Sequence, residues 1–375
     1  MKTAAFAVLL LLLGDVPASA QFGKLGDLAS KAGKLSELKI SDQDERELGE
    51  RVSATVRSEF GVLQDAAVTK YVSLLGHLLA RSSSRPGLKW EFIVLDTDGV
   101  NAFAAPGGLV HITKGALGLI KSEAELAGVL GHEIAHITRK HTVNAIQKNK
   151  AIKMTTEEVG GKGSAYYSKL ANAAYDNIVE RGFDRGDEDE ADEEGLRLAN
   201  KAGYNPSALG SFLDKLMARN KGLSGAKPNG LFATHPQTQA RIDKQSKQIK
   251  AEKLTGAAMG QARYGASVKY DAKAPSAIAL TQSEAKGLTG GGSTAKTESK
   301  PPAKEEKKGG GMFGGLGSAL SGGKQKESTQ ASASAGGRAL DPNRPDRYAV
   351  GGGNPNKIAV AVSDAEIQAF RKGIA

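Results

Sequence analysis

No cysteine occurs among the 375 residues. That excludes a disulfide framework and an acylated cysteine near the start of the chain. Long apolar runs are scarce too. The one continuous run, Ala4 to Leu13, is too short for a bilayer span, which takes about 20 residues. No nucleic-acid-binding motif and no helical repeat array is visible. Lys2 precedes the apolar run and Ala18-Ser19-Ala20 follows it, the pattern of a secretory signal. The expectation is an exported, periplasmic protein that loses residues 1–20, starts at Gln21, is not lipidated and has no transmembrane helix.

Charge is unbalanced. Fifty-one Lys and Arg oppose 41 Asp and Glu, a formal net charge of +10. From Glu284 onward the count is fourteen against nine, a net of +5, so half the excess lies in the tail. A diffuse positive balance suits anionic surfaces such as phospholipid headgroups. Between Gly287 and Gly337 there are fourteen glycines and no Ile, Val, Trp or Tyr. Such a stretch buries too little apolar surface to offset chain entropy and reads as a disordered linker.

The chemistry concentrates at Gly131-His132-Glu133-Ile134-Ala135-His136. Ser122 and Glu125 have capping-box spacing, and Leu126, Val129, Leu130, Ile134 and Ile137 follow at helical spacing. Residues i and i+4 share a helix face, so His132 and His136 can hold one metal ion together. Glu133 is then placed to take a proton from a water on that metal. A longer metzincin pattern fails, because Arg139 and Thr142 stand at its glycine and third-histidine positions. On a continuous helix His141 would be half a turn out of phase, and it reads as a surface or packing residue.

A third ligand is sought in the acidic run from Asp184 to Gly195. Glu188 and Asp192 are four apart and share a face. They could offer one carboxylate to the metal and the other to the far nitrogen of a ligand histidine. Taken alone, the run reads first as a solvated acidic helix start, favoured by the helix dipole.

Several blocks now stand in order. They are Asn101-Ala102-Phe103-Ala104-Ala105-Pro106-Gly107-Gly108, the H-E-x-x-H stretch, Arg185-x-x-Glu188-x-x-Ala191-Asp192-x-x-Gly195 with Ala202-Gly203-Tyr204-Asn205-Pro206, and Thr234-His235-Pro236 with Arg241-Ile242. In this the chain resembles the zinc endopeptidases of the HtpX, CAAX prenyl protease, Oma and β-barrel assembly-enhancing protease group, over roughly residues 41–250. The resemblance implies one Zn2+ held by His132, His136 and Glu188, with Glu133 as general base and Asp192 supporting a ligand. It implies His235 and Arg241 near the metal, as oxyanion donors or with His235 as a resting fourth ligand. Asp184 departs from the family's usual serine, which puts a local hydrogen bond in question.

The Asn101 block also has a physical reading. Lys89 to Asp96 and Leu109 to Thr113 read as strands, with Pro106-Gly107-Gly108 turning into the second. A substrate chain could lie along an edge strand there, touching Asn101, Ala102, Phe103, Gly107 and Gly108.

The expected architecture is α+β: a mostly helical, zincin-type (minigluzincin) domain with a small sheet beside the H-E-x-x-H helix. Its parts are a signal (1–20), a leader (21–40), the metalloprotease domain (41–281), a linker (282–340) and a strand-helix segment (341–375). Residues 144–181, interrupted by glycines at 160–163, suit a lid. Phe22-Gly23 and Phe313-Gly314 open similar small motifs, which read as chance or as shared docking. Every chemical motif precedes Thr281, so a chain cut after 281 is expected to fold and bind zinc. The expected function is zinc-dependent hydrolysis of peptide bonds in exported proteins, with protein or peptide substrates and peripheral contact with the membrane or outer-membrane proteins. The rival is a chaperone or binding protein that uses the same groove without turnover.

Overall fold

The computed structural model describes residues 40–148, 164–221, 223, 229–235, 239–280 and 344–374. The signal, the leader up to 39, the glycines at 160–163, the two Phe-Gly motifs and the linker lie outside the described residues. Helix α1 (Asp42–Phe60) starts at an N-cap serine, Ser41. The Ser41 hydroxyl accepts from the Asp44 amide, and Asp44 accepts from the Ser41 amide. In α2 (Ala66–Ala80), Tyr71, Leu75, Leu78 and Leu79 are buried.

Three strands follow: β1 (Glu91–Leu95), β2 (Ala102–Ala105) and β3 (Leu109–Thr113), in the order β1-β3-β2. β3 runs parallel to β1 and antiparallel to β2. The hairpin lies between β2 and β3, turning at Gly107 and Gly108, whose φ angles of 75° and 99° suit glycine. The two strands read from the sequence are therefore parallel neighbours, and the Asn101 block is itself a third strand. The physical reason is burial on both sides. Phe92, Val94, Ala102, Ala104, Val110 and Ile112 enter one core, while Ile93, Leu95, Phe103, Ala105 and Leu109 enter the other. A strand buried on both faces reads as one apolar run, which hides the pairing direction.

After α3 (Lys114–Leu119) comes α4 (Glu123–Thr138), the H-E-x-x-H helix, which is buried along its whole length. Its cap is half the predicted box. Ser122 accepts from the Glu125 amide, but the Glu125 carboxylate turns to the Lys121 amide and to Lys215. Next are α5 (His141–Lys148), α6 (Ser164–Tyr175) and a π-helical turn, Asp176–Arg181. The carboxylate helix α7 (Arg185–Ala202) lies along α4. Two glycines let them touch. A Cβ on Gly195 would sit 2.9 Å from the His132 amide nitrogen, and one on Gly131 would sit 3.0 Å from the Gly195 carbonyl oxygen. Then come α8 (Ala208–Asn220), α9 (Leu231–Thr234), α10 (Gln239–Ala251) and α11 (Gln261–Ser267).

The last segment differs from its expectation. Residues 357–362 form no strand, because no neighbour pairs with them. The final helix α12 (Asp364–Lys372) is present with its Ser363–Glu366 capping box. Residues 344–374 belong to one compact unit with the body. Gly352 donates to the Phe60 and Asp96 carbonyls at 3.1 and 2.8 Å, and Ile367 is 2% exposed in the main core. The Phe370 ring meets Tyr71 edge-on at 5.8 Å. This strap packs into the body that the sequence reading closes at 281.

Candidate metal centre

α4 presents His132 and His136 on one face, one turn apart. Their Nε2 atoms lie 3.0 Å from each other. α7 brings Glu188 to the same point, with its oxygens 3.6 Å from His132 Nε2 and 3.5 Å from His136 Nε2. The short helix α9 ends on His235, whose Nδ1 is 3.2 Å from His132 Nε2 and 2.8 Å from Glu188 Oε1. All four side chains are buried, and their donor atoms fall within 4.8 Å of one another. Nitrogens held about 2.0–2.1 Å from one tetrahedral zinc stand about 3.3 Å apart. The observed spacing and the imidazole–carboxylate donor set therefore fit a single zinc ion.

Electrostatics agree with that fit. Burial holds His136 well below the ordinary histidine range, so it is a neutral imidazole ready to ligate. Burial alone would raise Glu188, but His235 and the bonds from His136 and His235 outweigh it and hold the carboxyl well below its ordinary range. Burial would lower His235, and the facing Glu188 and Glu133 carboxylates raise it instead.

Glu133 sits apart from the converging donors. Neither carboxylate oxygen accepts a hydrogen bond, although the side chain is buried. Its Oε1 lies 3.6 Å from His235 Nε2. Burial raises the pKa of Glu133, partly offset by His235 and His132. A buried carboxylate with open acceptor positions can receive a proton.

Asp192 and Arg241 form the support. Asp192 Oδ1 is 3.0 Å from His132 Nδ1, the face of the ring turned away from the other donors. Arg241 donates to both Asp192 oxygens at 2.6 and 2.8 Å, and its Nη1 lies 2.6 Å from Glu188 Oε2. Burial would raise Asp192, but Arg241 and His132 hold it well below the usual carboxylate range. The Asp184 carboxylate caps α7 by accepting from the Asp187 amide at 2.9 Å.

The structure corrects the reading of His141. α4 ends at Thr138, and Lys140 takes φ 57°. The chain turns, and α5 begins at His141 itself. A half-turn offset holds only on one continuous helix. With the helix broken, buried His141 swings back until its Nδ1 is 2.8 Å from His136 Nδ1. Its Nε2 lies 3.6 and 3.8 Å from Glu190 and Asp187. His141 thus supports His136 as Asp192 supports His132. Phe183 was also missed. Its ring stacks on His136 with centroids 4.0 Å apart. Gly182 makes this possible, at φ 77° and so near Thr234 that a Cβ would lie 2.1 Å from its carbonyl oxygen.

The strand residues fall in two places. Ala104 lines a small cleft with His136 and Thr142. Asn101 is buried and closes the strand end by exchanging hydrogen bonds with Thr113. Gly107 and Gly108 lie at the turn, where the Gly107 amide donates to Glu45, which lines the same cleft, and Gly108 borders Lys89. A cavity of about 240 Å³ opens beside Glu188, lined by Phe183, Arg185, Asp189 and Lys244 among others.

A helix carrying H-E-x-x-H, a small mixed sheet beside it and a carboxylate from a second helix together define a zincin-like site. Residues 66–249 match the model of Peptidase family M48, and the chain carries a domain of that family. It is 29% identical over 248 residues to the beta-barrel assembly-enhancing protease of Yersinia pestis, covering 62% of this chain and 50% of the relative. It is 28% identical over 231 residues to the protein of that name from Escherichia coli, covering 58% and 45%. To the mitochondrial metalloendopeptidase OMA1 of Schizosaccharomyces pombe it is 30% identical over 208 residues, covering 55% and 61%. The chain spans about half the length of the beta-barrel assembly-enhancing proteases that it matches.

Proposed function

We propose that this chain is a zinc-dependent endopeptidase that cleaves exported proteins as part of envelope protein quality control. The observation that carries the reading is the convergence of His132, His136, Glu188 and His235 beside a buried Glu133 whose carboxylate accepts no hydrogen bond. A bound zinc ion would supply a Lewis acid for the scissile carbonyl and a water of lowered pKa. His132, His136 and Glu188 would hold the ion. Glu133 takes the proton of the attacking water at its open oxygen and passes it to the leaving amine. Asp192 and His141 fix the tautomers of His132 and His136 by engaging their Nδ1 atoms. Arg241 clamps the two α7 carboxylates, so the oxyanion role falls to His235. Without substrate, His235 would be available as a further ligand to the ion. A substrate backbone lies along β2, and a side chain enters the cavity beside Glu188.

Export rests on the signal pattern, and the envelope setting rests on the names of the bacterial relatives. Among the described residues no helix is long and apolar enough to cross a membrane. A chaperone reading leaves Glu133 unexplained, since a binding groove gains nothing from burying an unsatisfied carboxylate at about 1–3 kcal/mol or more. The test is degradation of unfolded casein by the mature chain, before and after chelation and after zinc is restored. Loss on chelation and recovery with zinc supports the reading, whereas chelator-insensitive cleavage refutes it.

A further inference from the structure

We infer that the C-terminal strap is a working part of the metal site, and that Asp346 is a positioning residue that locks the edge strand and the His235 segment together. The inference rests on the proposed reading of β2 and His235 as parts of the catalytic cleft. Asp346 lies far along the chain from every chemical motif, yet its side chain is fully buried. Its carboxylate accepts from the Val100 amide at 3.0 Å and from both Arg219 Nη atoms at 2.6 and 2.8 Å. It also accepts from the Asn229 side-chain amide, and the Asp346 backbone amide donates back to Asn229 Oδ1 at 2.8 Å.

These partners are the entrances to two site segments. Val100 and Asn101 lead straight into β2. Asn229 and Gly230 lead into α9, which ends on His235. The two entrances are joined directly, because the Leu231 amide donates to the Val100 carbonyl at 3.1 Å. Gly230 sits between them at φ 50°, and a Cβ there would lie 2.5 Å from the Val100 carbonyl oxygen and 2.6 Å from Asp346 Cβ. No side chain fits in that junction. One buried carboxylate therefore sets how β2 stands relative to His235. Removing it leaves the Arg219 cation, the Val100 amide and the Asn229 amide without their shared acceptor.

A structural staple alone would stabilise the fold without tuning the site. The experiment separates the two with the full-length chain and the variants Asp346→Asn, Asp346→Ala and Phe370→Ala, all read well below their melting temperatures. Hydrogen exchange is followed at residues 100–105 and 229–235, with zinc content and peptide kcat and KM measured beside it. In both Asp346 variants exchange should rise in both stretches while α4 and β1 stay protected and zinc is retained. Displacements near 1 Å suffice to lower kcat/KM by on the order of tenfold or more. Phe370→Ala, at the far end of the strap, should lower the melting temperature and leave both stretches and kcat/KM unchanged. Should Asp346→Ala misfold, Asp346→Asn keeps the shape and tests the same point. Folded Asp346 variants with wild-type exchange in either stretch, or with wild-type kcat/KM, overturn the inference. A wild-type chain that cleaves nothing would count against the proposed activity instead, and the exchange pattern would still decide the role of Asp346.

Discussion

Replacing His141 with alanine tests the support of the metal ligands most sharply. His136 must turn Nε2 toward the other donors, so its Nδ1 carries the proton and needs an acceptor. His141 Nδ1, 2.8 Å away, is that acceptor. Loss of such a partner typically costs about 10–100-fold in metal affinity, or about 1.4–2.7 kcal/mol. His141 is also buried, so truncation leaves a cavity and costs fold stability of its own, on the order of 1–3 kcal/mol. The two costs separate by linkage, because only the first depends on metal. Zinc affinity should be read by competition with a chromophoric chelator, and melting should be compared in zinc and in chelator. The variant should bind zinc more weakly, and its melting deficit should be larger in zinc than in chelator. His141→Gln, which offers an acceptor of similar reach, should recover part of the affinity. Equal affinities for wild type and His141→Ala, with equal deficits in both buffers, would reduce His141 to packing.

Gly195→Val should force α7 away from α4, since even a Cβ there lies 2.9 Å from the His132 amide. Overpacking of this kind costs about 1–3 kcal/mol, and zinc affinity should fall with it, as read by melting and metal analysis. Deleting 344–375 should unfold the chain or strongly lower its melting temperature, because buried Arg219 loses the carboxylate of Asp346; uncompensated buried charges cost about 3–5 kcal/mol. Replacing 282–340 with a short linker should leave the melt near wild type. Acid unfolding should carry a contribution from Glu91. Burial raises its pKa, but Lys357 and Arg46 outweigh burial and bring it from 4.5 to about 2. Its folded pKa is thus depressed, so its stabilisation is present above about pH 4.5 and is lost as pH falls toward 2. Glu91→Gln should flatten the stability–pH curve in that window.

What could be read in advance follows from how local each relation is. His132 with His136, and Glu188 with Asp192, are i, i+4 pairs on single helices, and a helix period exposes them directly. His235 and Arg241 come from elsewhere in the chain and were reachable only through the family resemblance. His141 was misread because nothing in Arg139-Lys140 marks a break. No glycine or proline stands there to mark the left-handed turn at Lys140, whose ammonium meets the distant Asp42 and Glu45. The pairing of β1 with β3 was hidden because both sheet faces are buried. The capped helix at Ser363–Glu366 is legible in the sequence, as is the chance that this end docks back on the protease; the boundary at 281 leaves it out because the stretch before it is rich in glycine and lysine.

The most direct test of the central claim is Glu133→Gln. The substitution keeps the shape and all four converging donors but cannot accept the proton. Zinc content after dialysis should match wild type, while casein turnover should fall by about 10²-fold or more. A zinc-loaded Glu133→Gln chain that still cleaves casein at the wild-type rate would contradict the account.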